Sequence, residues 1–98
     1  MEKIDWDNLG FNVLETRSMY KASCRIGEEW KLGGLIPYGT IELSPAAGVL
    51  NYGQGCFEGT KAYRTVKDRV VLFRPEMNAK RMALSTKRLC IPEMNQEF

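Results

Sequence analysis

The chain has 98 residues, of which 44% are hydrophobic and 27% charged, and its formal net charge is +2. This length allows one domain or part of one, and so small a net charge argues against nucleic acid or an anionic membrane as the partner. No apolar run approaches the roughly 20 residues that span a bilayer, so no membrane association is expected.

Cysteine and histidine narrow the possible chemistry further. The three cysteines are widely separated and form no Cys-x-x-Cys pair, which indicates reduced thiols in an intracellular protein. Histidine is absent, which excludes Ser-His-Asp and Cys-His catalysis within the chain and the common zinc sites, and no metal site is expected. No signal peptide is visible. We therefore expect a cytoplasmic location, or a mitochondrion or plastid if a transit peptide has been removed.

The first half of the chain predicts a hairpin followed by loops. Residues 16–26 mix β-branched, aromatic and small side chains and predict a strand, which turns at residues 27–29 and returns through residues 30–32. Glycine and proline predict loops at residues 33–34 and 37–39, followed by a short extended piece at 40–43. Residues 46–50 are ambiguous between a helical turn and buried coil.

The second half carries the denser pattern. A glycine-rich segment, residues 52–59, precedes two predicted antiparallel strands at residues 61–65 and 70–73, joined by a turn at 66–69. A helix is predicted from Pro75, a favourable first-turn residue, to Leu89 or Cys90, because Pro92 disfavours helical geometry at Ile91.

Two stripes run along the predicted helix. At 100° of rotation per residue, the residues on one side of the helix follow the i, i+3, i+4, i+7 spacing of a buried face, and Leu89 lies at the edge of that face. Arginine recurs every seven residues on the opposite side and forms a candidate anion site. The buried-face residues are Ala79, Met82, Ala83, Thr86 and Cys90, and the arginines are Arg74, Arg81 and Arg88.

These motifs resemble a known family. The runs LNYGQGCFEGTKAYR, LFRPEMNAKRM and RLCIP, with IDWDNLGF and GTIELSPAAGVLNYG upstream, resemble the N-terminal domain of the branched-chain amino acid aminotransferases in their plant-like form. These are fold-type IV pyridoxal-phosphate enzymes. The resemblance implies an α+β fold for residues 1–98, as part of the small N-terminal domain, with antiparallel strands and one long helix.

The resemblance also implies site residues. Arg81 matches the arginine that binds the phosphate of pyridoxal 5'-phosphate, and a guanidinium suits a dianionic phosphate because it offers parallel donors and keeps its charge. Phe11, Tyr52 and Phe57 match aromatic walls of the substrate side-chain pocket. Without the resemblance, the three aromatics are most simply core residues, and an arginine stripe is most simply a solvated face. For Arg74 and Arg88 we keep the interpretation of a solvated face.

The implied reaction is reversible amino transfer between leucine, isoleucine or valine and 2-oxoglutarate, in a homodimer. No catalytic residue is assigned, because in the family the lysine that forms the Schiff base with the cofactor lies beyond residue 98. We therefore expect this chain to be inactive and poorly folded by itself. The alternative is a truncated, non-catalytic protein that at most associates with a full-length partner. A nucleic-acid-binding module is a weak third possibility because acidic residues are interleaved with basic ones.

Overall fold

A computed structural model describes residues 3–95, apart from the side chain of Leu32. It contains two antiparallel strand pairs, one short helix and one longer helix, which agrees with the predicted α+β composition. The chain divides into two compact units, one up to Glu42 and one from Leu43 onward. None of the described helices has the length and apolarity needed to cross a membrane.

The first unit is built on the hairpin of β1 (Ser18–Ser23) and β2 (Lys31–Pro37). A turn joins the strands, with a hydrogen bond from the Glu28 amide to the Arg25 carbonyl (3.0 Å) and a φ of 81° at Gly27. The glycine supplies the left-handed backbone that other residues adopt at a cost. This hairpin was predicted, although β2 begins at Lys31 rather than one residue earlier.

The predicted loop at residues 33–34 is wrong, because β2 continues through both glycines. The register shifts between Lys21 and Ser23 of β1, opposite this point, and a Cβ added at Gly33 would overlap the Lys21 carbonyl. Glycine inside a strand often marks such a close approach of two backbones. The extended piece expected at residues 40–43 belongs to no strand.

The second unit begins with α1 (Gly48–Asn51), so the ambiguous stretch forms a helical turn. The next hairpin pairs β3 (Ala62–Arg64) with β4 (Val70–Leu72), in the predicted order and orientation. In its turn the Thr65 amide donates to the Arg69 carbonyl (2.8 Å), and Asp68 has a φ of 56°. A type I turn followed by a left-handed residue is a common hairpin connection.

The long helix α2 (Pro75–Arg88) confirms the predicted start and its C-terminal boundary to within a residue. Pro75 occupies the first turn, where its missing N–H has no helical partner, and Arg74 precedes it with a left-handed backbone, φ 45° and ψ 56°. Leu89 caps the C-terminus, and Cys90 follows with a φ of 55°.

The buried face of α2 is confirmed except at its end. Thr86 is the only buried side chain among those the structure describes, and Ala79, Met82, Ala83 and Leu89 are half-buried. Cys90 is exposed, so its placement on the buried face is wrong. The helical period no longer applies to Cys90, because the backbone leaves helical geometry beyond Leu89.

The glycine-rich segment runs antiparallel to α2 and is tied to it by side chains. Gln54 Nε2 donates to the Leu89 carbonyl (2.9 Å), and the Cys56 thiol donates to Met82 Sδ (3.4 Å). Further along, Asn78 Nδ2 donates to the Gly59 carbonyl (2.6 Å). These contacts align the segment along most of the helix, with its Glu58 end beside the N-terminal half of α2.

Candidate functional site

The candidate site is centred on a two-point ion pair between α2 and the glycine-rich segment. Arg81 Nε donates to Glu58 Oε1 and Arg81 Nη2 donates to Glu58 Oε2, both at 2.8 Å. Such parallel bonds between a guanidinium and a carboxylate fix orientation as well as distance. The pair therefore sets the direction in which the guanidinium points.

Asn78 holds the carboxylate from the other side. It lies three residues before Arg81 on α2, so both side chains project from neighbouring positions of the helix surface. Its Nδ2 donates to Glu58 Oε2 (3.1 Å) and to the Gly59 carbonyl (2.6 Å), which uses both amide hydrogens. Glu58 is thereby fixed by one helix at two points.

The electrostatics of the pair agree with this geometry. The hydrogen bond from Arg81 is the main cause that holds the pKa of Glu58 below its ordinary value, and it outweighs the opposing effect of partial burial. The hydrogen bond to Glu58 likewise raises the pKa of Arg81. Both groups are therefore charged at neutral pH.

The ion pair leaves one edge of the guanidinium free of Glu58. A guanidinium carries five N–H groups, and the two bonds to Glu58 use one on Nε and one on Nη2. Both hydrogens of Nη1 and the second hydrogen of Nη2 remain. The Arg81 side chain is 55% exposed, against 21% for Glu58, so the open end of the pair is the arginine. This end can bind an oxyanion such as a phosphate.

The other two arginines of the stripe have different surroundings. Arg74 Nε lies 3.5 Å from Glu76 Oε1, within the first turn region of α2, and Arg88 is exposed in the last turn. In the part of the chain that the structure describes, Arg81 is the one arginine of the three that bonds to the glycine-rich segment. The three guanidinium groups of the stripe therefore do not share one set of partners.

The predicted pocket aromatics are all exposed. Tyr52 and Phe57 lie on the glycine-rich segment, 87% and 91% exposed, so their rings are available to a ligand. Phe11 is also exposed and belongs to the first unit. Their role as substrate walls stays a prediction.

Glu58 and Asn78 belong to the site but were not predicted from the sequence. A signal for Asn78 was present, because its spacing of three residues from Arg81 places both on one helix surface. Glu58 lies 23 residues from Arg81, and such a pairing depends on how the intervening hairpin returns the chain.

No protein-family model matches the chain. Similarity to individual proteins is strong, however. The chain is 58% identical over 89 residues to the chloroplastic branched-chain amino acid aminotransferase 2 of Humulus lupulus, which covers 91% of this chain and 22% of that protein. It is 53% identical over 96 residues to the mitochondrial branched-chain-amino-acid aminotransferase 1 of Arabidopsis thaliana, covering 95% of this chain and 25% of the relative.

A bacterial relative is also similar to the chain. The branched-chain-amino-acid aminotransferase of Helicobacter pylori is 43% identical over 98 residues, which covers 100% of this chain and 28% of that protein. The chain thus spans about a quarter of the length of the curated relatives it matches.

Proposed function

We propose that this chain supplies the phosphate-binding arginine of a pyridoxal-phosphate aminotransferase. The chain is homologous to the branched-chain amino acid aminotransferases over nearly its whole length. The observation that carries the proposal is the arrangement of Arg81. Its guanidinium is anchored side-on by Glu58 and keeps three N–H groups free of that carboxylate at its exposed end.

The donor set fits the proposed cofactor. A phosphate dianion needs several N–H donors and a permanent positive charge, and an arginine provides both without the possibility of deprotonation. When bound, pyridoxal phosphate supplies the electron sink for amino-group transfer. The contribution of this chain is to bind and orient the phosphate, which holds the reactive ring at a fixed place.

The substrate side of the proposal rests on the aromatic residues. Tyr52 and Phe57 present exposed rings on the segment that also carries Glu58, the residue bonded to Arg81. We propose for each of Phe11, Tyr52 and Phe57 the role that the family match implies, that of an aromatic wall residue for leucine, isoleucine or valine and the matching 2-oxo acids. We further propose that the protein acts as a homodimer in a mitochondrion or plastid, the compartments that the names of its plant relatives indicate.

The experiment uses a chimera, in which the matched 89 residues of this chain replace their counterparts in the Humulus lupulus relative. The chimera is titrated with pyridoxal phosphate by absorbance. Arg81→Ala removes the donors to the phosphate, so we expect cofactor affinity to fall by about one to three orders of magnitude. Arg81→Lys should recover only part of that loss, because an ammonium group cannot make two parallel bonds.

Arg88→Ala is the matched control, since it removes the same side chain one heptad along the same helix. Its affinity should equal that of the unsubstituted chimera. Equal affinity of Arg81→Ala and the parent, or equal losses for the two alanine variants, would show that the arginine stripe is only a charged surface. A chimera that takes up no cofactor would also contradict the proposed function.

A further inference from the structure

The carboxylate of Glu58 lies where it can orient the arginine without covering its ligand-binding end. It bonds to Nε and Nη2, along the side of the guanidinium, and the terminal edge formed by Nη1 and Nη2 points away from it. A phosphate can therefore bind at the terminal edge while Glu58 stays in place.

We propose that Glu58 is a positioning residue, which holds the guanidinium of Arg81 side-on so that its terminal edge is presented to the cofactor phosphate, and that Asn78 fixes the Glu58 carboxylate for this purpose. The inference rests on the proposed function and identifies the residues that orient its arginine. Neither residue contacts the phosphate in this arrangement.

The bonds of Asn78 support positioning in preference to a chance surface pair. One amide hydrogen binds Glu58 Oε2 and the other binds the backbone carbonyl of Gly59, so the carboxylate is held relative to both the helix and the segment. Among the described residues, the exposed pair of Arg64 and Asp68 has no such third partner, and both its side chains are more than two-thirds exposed. The site pair is thus set apart by a network of bonds.

Positioning has a physical benefit for phosphate binding. A free arginine side chain samples many rotamers, all but a few of which are lost when it binds a ligand. Glu58 removes most of that freedom beforehand, and its charge is offset by the guanidinium that it holds. A competing carboxylate would instead occupy the terminal edge, and the observed bonds leave that edge to other ligands.

The test separates the phosphate contribution from the rest of cofactor binding. The chimera is titrated with pyridoxal phosphate and with pyridoxal, which lacks the phosphate, and the ratio of the two dissociation constants gives the phosphate preference. For Glu58→Gln we expect the phosphate preference to fall roughly tenfold. This is the lower end of the affinity loss seen when a residue that hydrogen-bonds to a ligand-binding side chain is removed. Pyridoxal affinity should not change. Glu58→Asp should lie between, because its shorter carboxylate cannot reach both donors.

Asn78→Ser provides an independent variant, since it keeps Glu58 but removes the amide hydrogens that fix it. The expected loss of phosphate preference is roughly threefold, the value of one ordinary hydrogen bond. Glu76→Gln is the matched control, because it makes the same substitution on α2 in a pair with a different arginine, and the preference should not change.

The other outcomes each decide the question. If Glu58→Gln lowers the affinity for pyridoxal phosphate and for pyridoxal equally, Glu58 has a purely structural role. If the substitution raises the phosphate preference, Glu58 competes with the phosphate. Either result overturns the inference. If Arg81→Ala leaves the preference unchanged, the proposed function fails first. If Arg81→Ala abolishes it while Glu58→Gln and Asn78→Ser do not, only the positioning role fails.

Discussion

Replacing Cys90 with glycine should stabilise the C-terminal turn of α2. Cys90 follows the helix with a φ of 55°, and its amide and that of Ile91 donate to the carbonyls of Lys87 (3.4 Å) and Thr86 (2.9 Å). This pair of bonds is the Schellman arrangement, in which the left-handed position is usually glycine. The Cys90 side chain is exposed, so its removal gives up little packing.

The size of the effect follows from the backbone. Relief of a left-handed conformation at a residue with a Cβ contributes about 1–2 kcal/mol. Glycine lowers the stability by roughly 0.5–1 kcal/mol, because it is more flexible in the unfolded chain and loses more conformational entropy on folding. The net gain is about 1 kcal/mol, or an approximately fivefold slower exchange of the amides that depend on this turn.

Hydrogen exchange of peptides covering residues 85–91 in the chimera measures the gain. Cys90→Ala is the control: it removes the thiol but keeps the left-handed strain, so its exchange should match that of the parent. Equal protection in Cys90→Gly and Cys90→Ala would refute the argument from backbone strain. Faster exchange in Cys90→Gly would show that the thiol contributes packing that the structure does not display.

Two further predictions concern the other unit and the candidate site. Gly33→Ala should weaken the first hairpin, because its Cβ would overlap the Lys21 carbonyl, whereas Gly34→Ala has open space around its Cβ; amide exchange in β1 should rise only in the first variant. The pKa of Glu58 is lowered from 4.5 by Arg81, so the ion pair should stabilise the fold above that value and be lost as the pH falls through the lowered pKa. A carboxyl NMR titration of Glu58 should show a midpoint below 4.5, and Arg81→Ala should return it towards 4.5.

Local signals predicted the second unit well. Pro75 at the start of α2, Pro92 beyond its end and a regular apolar period all act within a few turns of the helix, and they agreed with each other. The hairpin of β3 and β4 was similarly predicted as two short strands joined by a turn of four residues. Elements of this kind depend on residues that are neighbours in the sequence, and a local sequence pattern is therefore enough to predict them.

The missed features depend on contacts that a local pattern does not contain. Gly33 was interpreted as a loop signal, yet it lies in a strand because the Lys21 backbone approaches it closely. The partners of Arg81 were missed for a similar reason: Glu58 reaches it from 23 residues away. The arginine itself was identified only through family resemblance, and its phosphate role stays a prediction.

The hairpin of β3 and β4 has a consequence for how the chain assembles. The contacts between the glycine-rich segment and α2 join residues 19 to 35 positions apart, and each of these loops encloses the hairpin. Once the hairpin has formed, fewer freely moving residues remain between Glu58 and Arg81, and the entropy lost on closing the loop is smaller. We therefore expect the hairpin to form early, because its contacts are local, and to bring together the flanking residues that carry the carboxylate and the arginine.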